Sequence, residues 1–222
     1  MTAGWYRAAY VADPRKELAP RRGHEVMMGE PTDAALWQRA AAGETNAFGP
    51  IFERHATSVY NYCFRRTGDW AQAEELTAIV FLEAWRRRTQ VKLERDDALP
   101  WLLGVATNVI RNLRRSQRRH RAALGRLPRE HVDDFAPAIA ERLDDERQMR
   151  AALRALQKLP RADQDVLALC VWEELTYEQA ALALGVPVGT VRSRLSRARA
   201  RLRELTSDAG HEWDERFLTE ET

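Results

Sequence analysis

The chain has 222 residues, of which 45% are hydrophobic and 31% are charged, and its formal net charge is +2. This composition, with a mean hydropathy of -0.54, is typical of a globular protein and not of a disordered one. The length allows one large or two small domains. No apolar run reaches the roughly 20 residues that cross a bilayer, and the amino-terminal segment lacks the apolar centre of a signal peptide. We therefore predict a cytoplasmic protein without membrane insertion.

The charges are separated along the chain. The range Pro100 to Pro128 contains seven arginines and no acid, and Glu130 to Glu146 contains seven acids and one arginine. The same order repeats near the carboxyl end, with six arginines in Gly189 to Arg203 and seven acids in Glu204 to Thr222. Two separated basic helices predict two contacts with a polyanion.

The first 30 residues show no sustained hydrophobic period, and we interpret residues 1–30 as a flexible leader. Three amphipathic helices are predicted after it. Asp33 would cap the first of them, and Gly43 would end it. Gly68 would end the second helix, and Asp69 would cap the third. The apolar stripe of the third predicted helix contains Ala73, Leu76, Val80 and Trp85.

The fourth predicted helix, PWLLGVATNVIRNLRRSQRR, has Pro100 in its first turn and two different faces. One face is apolar. The other combines a tryptophan, two asparagines and several arginines, which could stack on unpaired bases, bond to their edges and hold a nucleic-acid backbone. A core position for the tryptophan is an equal alternative. The apolar face contains Leu102, Ala106, Val109, Ile110 and Leu113, and the polar face contains Trp101, Asn108, Arg111, Asn112, Arg115 and Arg119.

Residues 120–146 contain Gly125, Pro128, Pro137 and the acidic run, and we interpret them as a flexible linker. A linker of about 26 residues spans at most roughly 90 Å, or about two and a half turns of duplex DNA. The two basic helices could therefore occupy separate elements of one binding site.

The segments DERQMRAALRALQKL and RADQDVLALCVWEEL beyond the linker predict two helices, and LTYEQAALALGVPVGTVRSRL predicts a helix-turn-helix. Thr176 and Gln179 have the spacing of a capping box, and Gly185 would end the short first helix of the motif. No segment shows a convincing strand alternation. The predicted fold is therefore all-α, with two small helical bundles joined by the flexible linker.

The second helix of this motif has apolar residues at intervals of four, three and four. This stripe would seal the helix against its own domain and leave an arginine and serine face for the major groove of DNA. Arg199, Arg201 and Arg203 would meet phosphates or solvent. The alternative is an arginine-rich helix that only adds solubility. The stripe contains Val191, Leu195, Ala198 and Leu202, and the groove face contains Arg192, Ser193, Ser196 and Arg197.

No pattern in the sequence indicates catalysis. The chain lacks a GxxxxGK[ST] phosphate loop, and its five histidines form no pair at metal-ligand spacing. Cys63 and Cys170 lie in apolar helical patterns, which predict buried free thiols. We expect no enzyme activity, no cofactor and no metal.

Three motifs, in this order and spacing, resemble the sigma-70 family of RNA polymerase sigma factors, in its small extracytoplasmic-function (ECF) group. AEELTAIVFLEAWRR resembles the core-binding helix of region two, PWLLGVATNVIRNLRR resembles its promoter-melting helix, and LTYEQAALALGVPVGTVRSRLSRARARLR resembles region four. The match covers about residues 33 to 206. It implies region two at 31–119, region four at 147–206 and an acidic tail at 207–222.

The resemblance implies a subunit that binds core RNA polymerase, recognises the minus 35 and minus 10 elements of promoter DNA and promotes strand opening. The loop from Thr89 to Leu99 would hold a flipped base, and an anti-sigma factor is an expected partner. Ala78 departs from the family, which often has glutamine there. The implied sites are Trp101, Asn108, Arg111, Asn112 and Arg115 for minus 10; Arg192, Ser193, Ser196 and Arg197 for minus 35; and Glu74, Glu75, Leu76, Thr77, Phe81 and Trp85 for core polymerase.

Two alternatives stay open. Leu76, Phe81 and Trp85 could instead be core residues. The whole chain could be a helix-turn-helix repressor or activator whose amino-terminal bundle dimerises or senses a ligand. Such a protein would bind a palindrome without polymerase, and the sequence offers no obvious dimerisation heptads.

Overall fold

The computed structural model of the chain describes residues 31–93, 96–123 and 156–209. The predicted leader, most of the predicted linker and tail, and most of the first helix after the linker lie outside these residues. Every regular element in the described ranges is helical, which confirms the all-α prediction. None of these helices is long and apolar enough to cross a membrane.

The amino-terminal half is built from long helices joined by short connections. A 3-10 turn, Thr45–Ala47, joins the first two helices. The helices are α1 Asp33–Ala41, α2 Phe48–Thr67, α3 Trp70–Arg87 and α4 Leu99–Ala123.

The predicted helix ends are confirmed at the junction of α2 and α3, and the predicted cap of α1 is not. Gly68 ends α2 with a φ of 66°, which a residue without a Cβ adopts at low cost. The side chain of Asp69 accepts a hydrogen bond of 2.9 Å from the Gln72 amide and so caps α3. The prediction that Asp33 caps α1 is wrong, because Thr32 is the cap and Asp33 is the first helical residue.

Helix α4 is longer than predicted. It begins at Leu99 and continues to Ala123, into the segment assigned to the linker. The residues from 114 to 123 are mostly arginine, glutamine and alanine, which favour helix. No glycine or proline occurs between residue 114 and Gly125. Helix α4 therefore exceeds the predicted helix by about one turn at its carboxyl end.

The carboxyl-terminal half contains the predicted helix-turn-helix. Thr176 and Gln179 exchange the two hydrogen bonds of a capping box, and Gly185 ends the short helix with a φ of 63°. Both predictions are confirmed. The elements are α5 Arg161–Leu167, a π-helical stretch Ala168–Trp172, α6 Tyr177–Leu184 and α7 Val188–Ala209.

The buried side chains of the two halves form one continuous core within the described residues. Leu102, Ala106 and Ile110 of the predicted apolar face of α4 are buried, and Leu103 is buried as well. Helix α4 is covered by α2 and α3 on one side and by α6 on the other. The predicted bundles thus pack directly against each other.

Both cysteines are free thiols. Cys63 is fully buried and Cys170 is half-buried, so the prediction of burial is confirmed completely for Cys63 alone. Burial raises the pKa of each thiol to about 12.

Asp33 connects α1, α2 and the start of α4. Its carboxylate lies 2.9 Å from Arg54 and 2.5 Å from His55, and it accepts a hydrogen bond of 2.9 Å from the Ala98 amide. Asp97 also lies close to this group. Burial alone would raise the pKa of Asp33, and the bonds and charge of its partners lower it to about 2.

We expect Asp33→Asn to lower the free energy of unfolding at pH 7 by about 2 kcal/mol, because the charged carboxylate is favoured in the folded state. A lowered pKa gives stability that is present above the ordinary value of 3.8 and is lost as the pH falls toward 2. Urea unfolding at pH 7 and pH 3 should therefore show a smaller difference between variant and wild type at pH 3. Asp96→Asn, at an exposed neighbour, is the control and should unfold like wild type at both pH values.

Candidate nucleic-acid interface

Helix α7 has one sealed face and one open face. Val191, Leu195, Ala198 and Leu202 have at most 2% of their surface exposed, which confirms the predicted apolar stripe. Burial of these side chains holds the helix against α5 and α6. The side chains predicted for the major groove, Arg192, Ser193, Ser196 and Arg197, are all exposed.

Local contacts already orient part of this open face. The hydroxyl of Ser193 donates to the Thr190 carbonyl at 3.1 Å, and the Arg197 Nε donates to the Ser193 carbonyl at 3.2 Å. The guanidinium of Arg192 lies 5.6 Å from the ring centre of Tyr177, which belongs to the first helix of the motif. The face therefore presents two arginine forks near the amino-terminal half of an exposed helix, as groove binding requires.

The prediction that Arg199 faces phosphates or solvent is wrong, because only 7% of Arg199 is exposed. Its Nε is buried without a hydrogen-bond partner among the described residues. Arg201 is exposed and lies 4.0 Å from Asp163, and Arg203 is exposed. Of the three arginines beyond the groove face, two are thus accessible to DNA phosphates.

The polar face of α4 is only partly open. Asn108, Asn112 and Arg115 are exposed, as a surface for bases and phosphates requires. Trp101 is half-buried and packs edge-on against Trp37 at a ring distance of 5.0 Å, so it combines packing with some exposure. The guanidinium of Arg111 is bound by the carboxylate of Asp165, which belongs to the carboxyl-terminal half of the protein.

The predicted flipped-base loop, Thr89 to Leu99, is described except for residues 94 and 95. Its Val91 carbonyl accepts a hydrogen bond of 2.9 Å from the Trp37 indole. Asp97 accepts a bond of 2.8 Å from the Leu99 amide. The described part of the loop is therefore anchored beside Trp101.

The residues predicted to bind core polymerase divide into two groups. Leu76, Thr77 and Phe81 have at most 5% of their surface exposed and belong to the core, so they position α3 and present no surface to a partner in this structure. In this closed arrangement, their burial favours the alternative that they are core residues. Trp85 is half-buried between Phe48 and Arg88. The exposed members are Glu74 and Glu75.

Sequence reasoning missed two exposed apolar residues beside these glutamates. Ile79 is 37% exposed and Leu82 is 47% exposed, although both lie in the middle of α3. Their positions, four and seven residues after Glu75, were visible in the sequence and place them along one side of the helix. Together, Glu74, Glu75, Ile79 and Leu82 form a mixed surface, here called the α3 surface.

A buried carboxylate joins the two halves. Asp165 on α5 is 1% exposed and contacts the guanidinium of Arg66 on α2. Its second oxygen accepts from the Nε and Nη2 of Arg111 on α4, each at 2.8 Å. Arg66 also donates to the Gln164 carbonyl at 3.0 Å. Two arginines of the amino-terminal half thus share one acid of the other half.

A second ion pair lies beside the first. Arg65 donates to the Trp172 carbonyl and to the Glu173 carboxylate, both at 3.0 Å. Burial raises the pKa of Glu173 to about 7, although the charge and hydrogen bond of Arg65 oppose this shift. The sequence contained these residues without a signal that they meet, because they are about a hundred positions apart.

Gly104 allows the closest approach between the halves. A Cβ at this position of α4 would lie 2.5 Å from the carbonyl oxygen of Ala183 in α6 and 3.0 Å from its Cα. These are backbone atoms, so they cannot move aside without shifting α6. The close packing of α6 against α4 therefore requires glycine at residue 104.

We expect Gly104→Ala to displace α6 from α4 while the helices stay intact, since alanine favours helix by about 1 kcal/mol over glycine. Hydrogen exchange of the α6 amides should accelerate, and the radius of gyration in solution scattering should increase. Gly189→Ala is the control, because a Cβ there meets nothing within 4 Å. Unchanged exchange and radius in Gly104→Ala would contradict the close packing.

Comparisons with known proteins identify both halves of the chain. Residues 51–120 match the family described as Sigma-70 region 2, and residues 149–202 match Sigma-70, region 4. The ECF RNA polymerase sigma factor SigL of Mycobacterium tuberculosis is 31% identical over 77% of this chain and 95% of its own length. SigE of Mycolicibacterium smegmatis is 32% identical over 79% of this chain and 68% of its own.

A probable RNA polymerase sigma factor of Xanthomonas campestris, RfaY, is 35% identical over 74% of this chain, and the match spans 41% of that longer relative. Two solved structures share the fold: CnrH in complex with the cytosolic domain of CnrY, with a TM-score of 0.58 and 22% identity, and RpoE in complex with the anti-sigma factor NepR from Bartonella quintana, with 0.55 and 23%. They cover 80% and 73% of this chain, and each is matched over 98% of its length. The chain belongs to the sigma-70 family and is an ECF RNA polymerase sigma factor, a protein that directs promoter-specific transcription.

Proposed function

We propose that α7 reads the minus 35 element through Arg192, Ser193, Ser196 and Arg197. The observation that carries this proposal is the pairing of a buried stripe with an exposed arginine and serine face on one helix. Each arginine fork can bond bidentately to a guanine, which discriminates against another base by about 1–3 kcal/mol. Arg201 and Arg203 would add phosphate contacts that carry no sequence information.

The minus 10 element is assigned to α4. Asn108, Asn112 and Arg115 are exposed on one side of the helix and would contact the unpaired strand, with Trp101 and Arg111 at the edge of this surface. Capture of unstacked bases would supply part of the free energy of strand opening, so the chain needs no catalytic residue for this step. Its role is that of a regulatory subunit, acting in the cytoplasm with core polymerase.

Core polymerase would bind at the α3 surface, where two glutamates flank two exposed apolar residues. A mixed surface of this kind fits a protein partner, because the apolar pair supplies buried area and the acids supply orientation. An anti-sigma factor would be a second protein partner, as in the related complex with NepR. The domain division stays as proposed from sequence, with region two at 31–119 and region four at 147–206.

The described structure is a closed arrangement, since Asp165 and Glu173 of region four hold three arginines of region two. Arg111 cannot contact DNA fully while Asp165 occupies its guanidinium. Binding to core polymerase would therefore separate the two regions before both promoter elements are engaged. The part of the predicted linker beyond α4, 23 residues from 124 to 146, permits a separation of up to roughly 80 Å.

The test combines the purified chain with core polymerase and genomic DNA and maps the 5′ ends of the transcripts. We expect transcripts from a limited set of promoters that share two elements, and none without the chain. Leu82→Asp should weaken association with core, while Gln38→Glu, exposed on α1, should not. A chain that binds a palindrome tightly without core polymerase would instead be an ordinary repressor or activator.

A further inference from the structure

A cleft of about 600 Å³ lies between the two regions. One wall comes from the ends of α2 and α4 and from the start of α3, and the other comes from residues 157–164 at the start of region four. This volume falls in the range of small-molecule sites, roughly 300–1,000 Å³. Neither region forms the cleft alone, so it exists only in the closed arrangement.

Positive charge is concentrated in this cleft. Arg66, Arg114 and Arg118 of region two and Arg161 of region four line it, and no acidic side chain does so within the described residues. Arg66 is 3% exposed and already binds Asp165, and Arg114 donates to the Arg66 carbonyl at 2.6 Å. Arg118 and Arg161 are exposed and make no ion pair with another described residue.

The arginines repel one another. The pKa of Arg114 is lowered to about 10. Burial is the largest cause, the charges of Arg66 and Arg161 act in the same direction, and the charge of Asp165 opposes them. An anion between these side chains would replace repulsion by charge-assisted hydrogen bonds. The cleft is therefore electrostatically complementary to phosphate groups.

The remaining lining differs in chemistry from the arginines. Leu113 and Pro160 provide apolar surface that could cover one face of a planar ring, and the buried Ile110 and Leu159 lie behind them. Amide side chains supply donors and acceptors for the edge of a base and for sugar hydroxyls. These amides belong to Gln72, Gln117, Gln157 and Gln164.

We propose that this cleft binds a nucleoside polyphosphate, with its phosphates on Arg114, Arg118 and Arg161 and its base against the apolar and glutamine lining. Because the ligand would touch both regions, it would stabilise the closed arrangement over the open one. The binding site depends only on the described geometry. Its effect on transcription rests on the proposed function, since it requires that the closed form be inactive.

The binding test uses the full chain alone, with isothermal titration calorimetry of ATP, inorganic pyrophosphate and adenosine at fixed salt. We expect saturable binding of ATP, weaker binding of pyrophosphate and still weaker binding of adenosine. The double variant Arg118→Gln with Arg161→Gln should weaken ATP binding by about tenfold or more, because it removes one charged donor from each wall. Both residues are exposed, so the fold should persist, and circular dichroism checks this.

The matched control is Arg119→Gln with Lys158→Gln, which removes one exposed positive charge from each region next to the cleft and outside its lining. It should bind ATP like wild type. An equal decrease in affinity in both double variants would show attraction to any polyanion and overturn the proposal. Absence of saturable ATP binding would do so as well, and pyrophosphate binding as tight as ATP would overturn the assignment of a nucleoside.

A separate measurement tests whether the ligand stabilises the closed arrangement. Gly104→Ala, which is expected to be open without a ligand, should show a smaller radius of gyration at saturating ATP. If ATP binds but the radius does not respond, the link between the ligand and the closed arrangement is wrong. This outcome is independent of whether the chain supports promoter-specific transcription.

Discussion

Asp165→Asn is expected to open the protein. The substitution leaves Arg66 and Arg111 without their shared acid, and removing one partner of a buried ion pair costs about 3–5 kcal/mol. Arg66 is 3% exposed in the closed arrangement but would be solvated after the regions separate. The cost should therefore appear mainly as a shift toward the open form, with each region still folded.

Solution scattering and hydrogen exchange measure this opening. We expect a larger radius of gyration and faster exchange where α5 meets α2 and α4. Binding to core polymerase should become tighter, because less free energy is spent on separating the regions. Glu178→Gln, an exposed acid on α6, changes the net charge equally and should have none of these effects. A closed, wild-type-like Asp165→Asn would show that the ion pairs do not hold the regions together.

Arg192→Ala with Arg197→Ala is expected to abolish recognition of the minus 35 element. If each arginine contributes about 1–3 kcal/mol of discrimination, the double variant loses roughly 2–6 kcal/mol, or at least about thirtyfold in preference for the correct sequence. The measurement is competition between a mapped promoter and the same promoter with its minus 35 element scrambled, using the assembled holoenzyme. The two arginines are exposed, so stability should change little.

Arg201→Ala with Arg203→Ala is the matched control on the same helix. It removes the same number of positive charges from positions assigned to phosphates, so affinity for both DNAs should fall together. The slope of log affinity against log salt should become shallower by about 0.9 for each DNA phosphate that the variant no longer neutralises. An equal reduction of sequence preference in both double variants would contradict the division between groove and backbone residues.

The sequence predicted local structure well because local rules decide it. The capping box at Thr176, the left-handed glycines Gly68 and Gly185 and the stripe on α7 all follow from short-range spacing, and all are present in the structure. Family resemblance located the two regions. The predicted contacts with DNA and polymerase stay proposals. The structure shows which of the predicted side chains are exposed and which are buried.

The errors have a common cause in long-range packing. Gly104 lies against Ala183 of α6 and Leu103 beside it is buried, which the helical projection of α4 could not show. Arg199 faces inward although the arginine-rich sequence around it indicated a solvent-exposed position. Asp33 was expected to cap its own helix and instead binds His55 and Arg54 on the next one. Contacts between distant segments are not encoded in local periodicity.

The two thiols have a consequence for oxidative chemistry. Because burial raises the pKa of Cys63 and Cys170 to about 12, only about one thiol in a hundred thousand is ionised at pH 7. Peroxides and disulfides react with the thiolate, so both sulfurs should resist sulfenic acid formation and glutathionylation while the protein is folded. A response of this transcription subunit to oxidants should therefore begin at a group other than these two thiols.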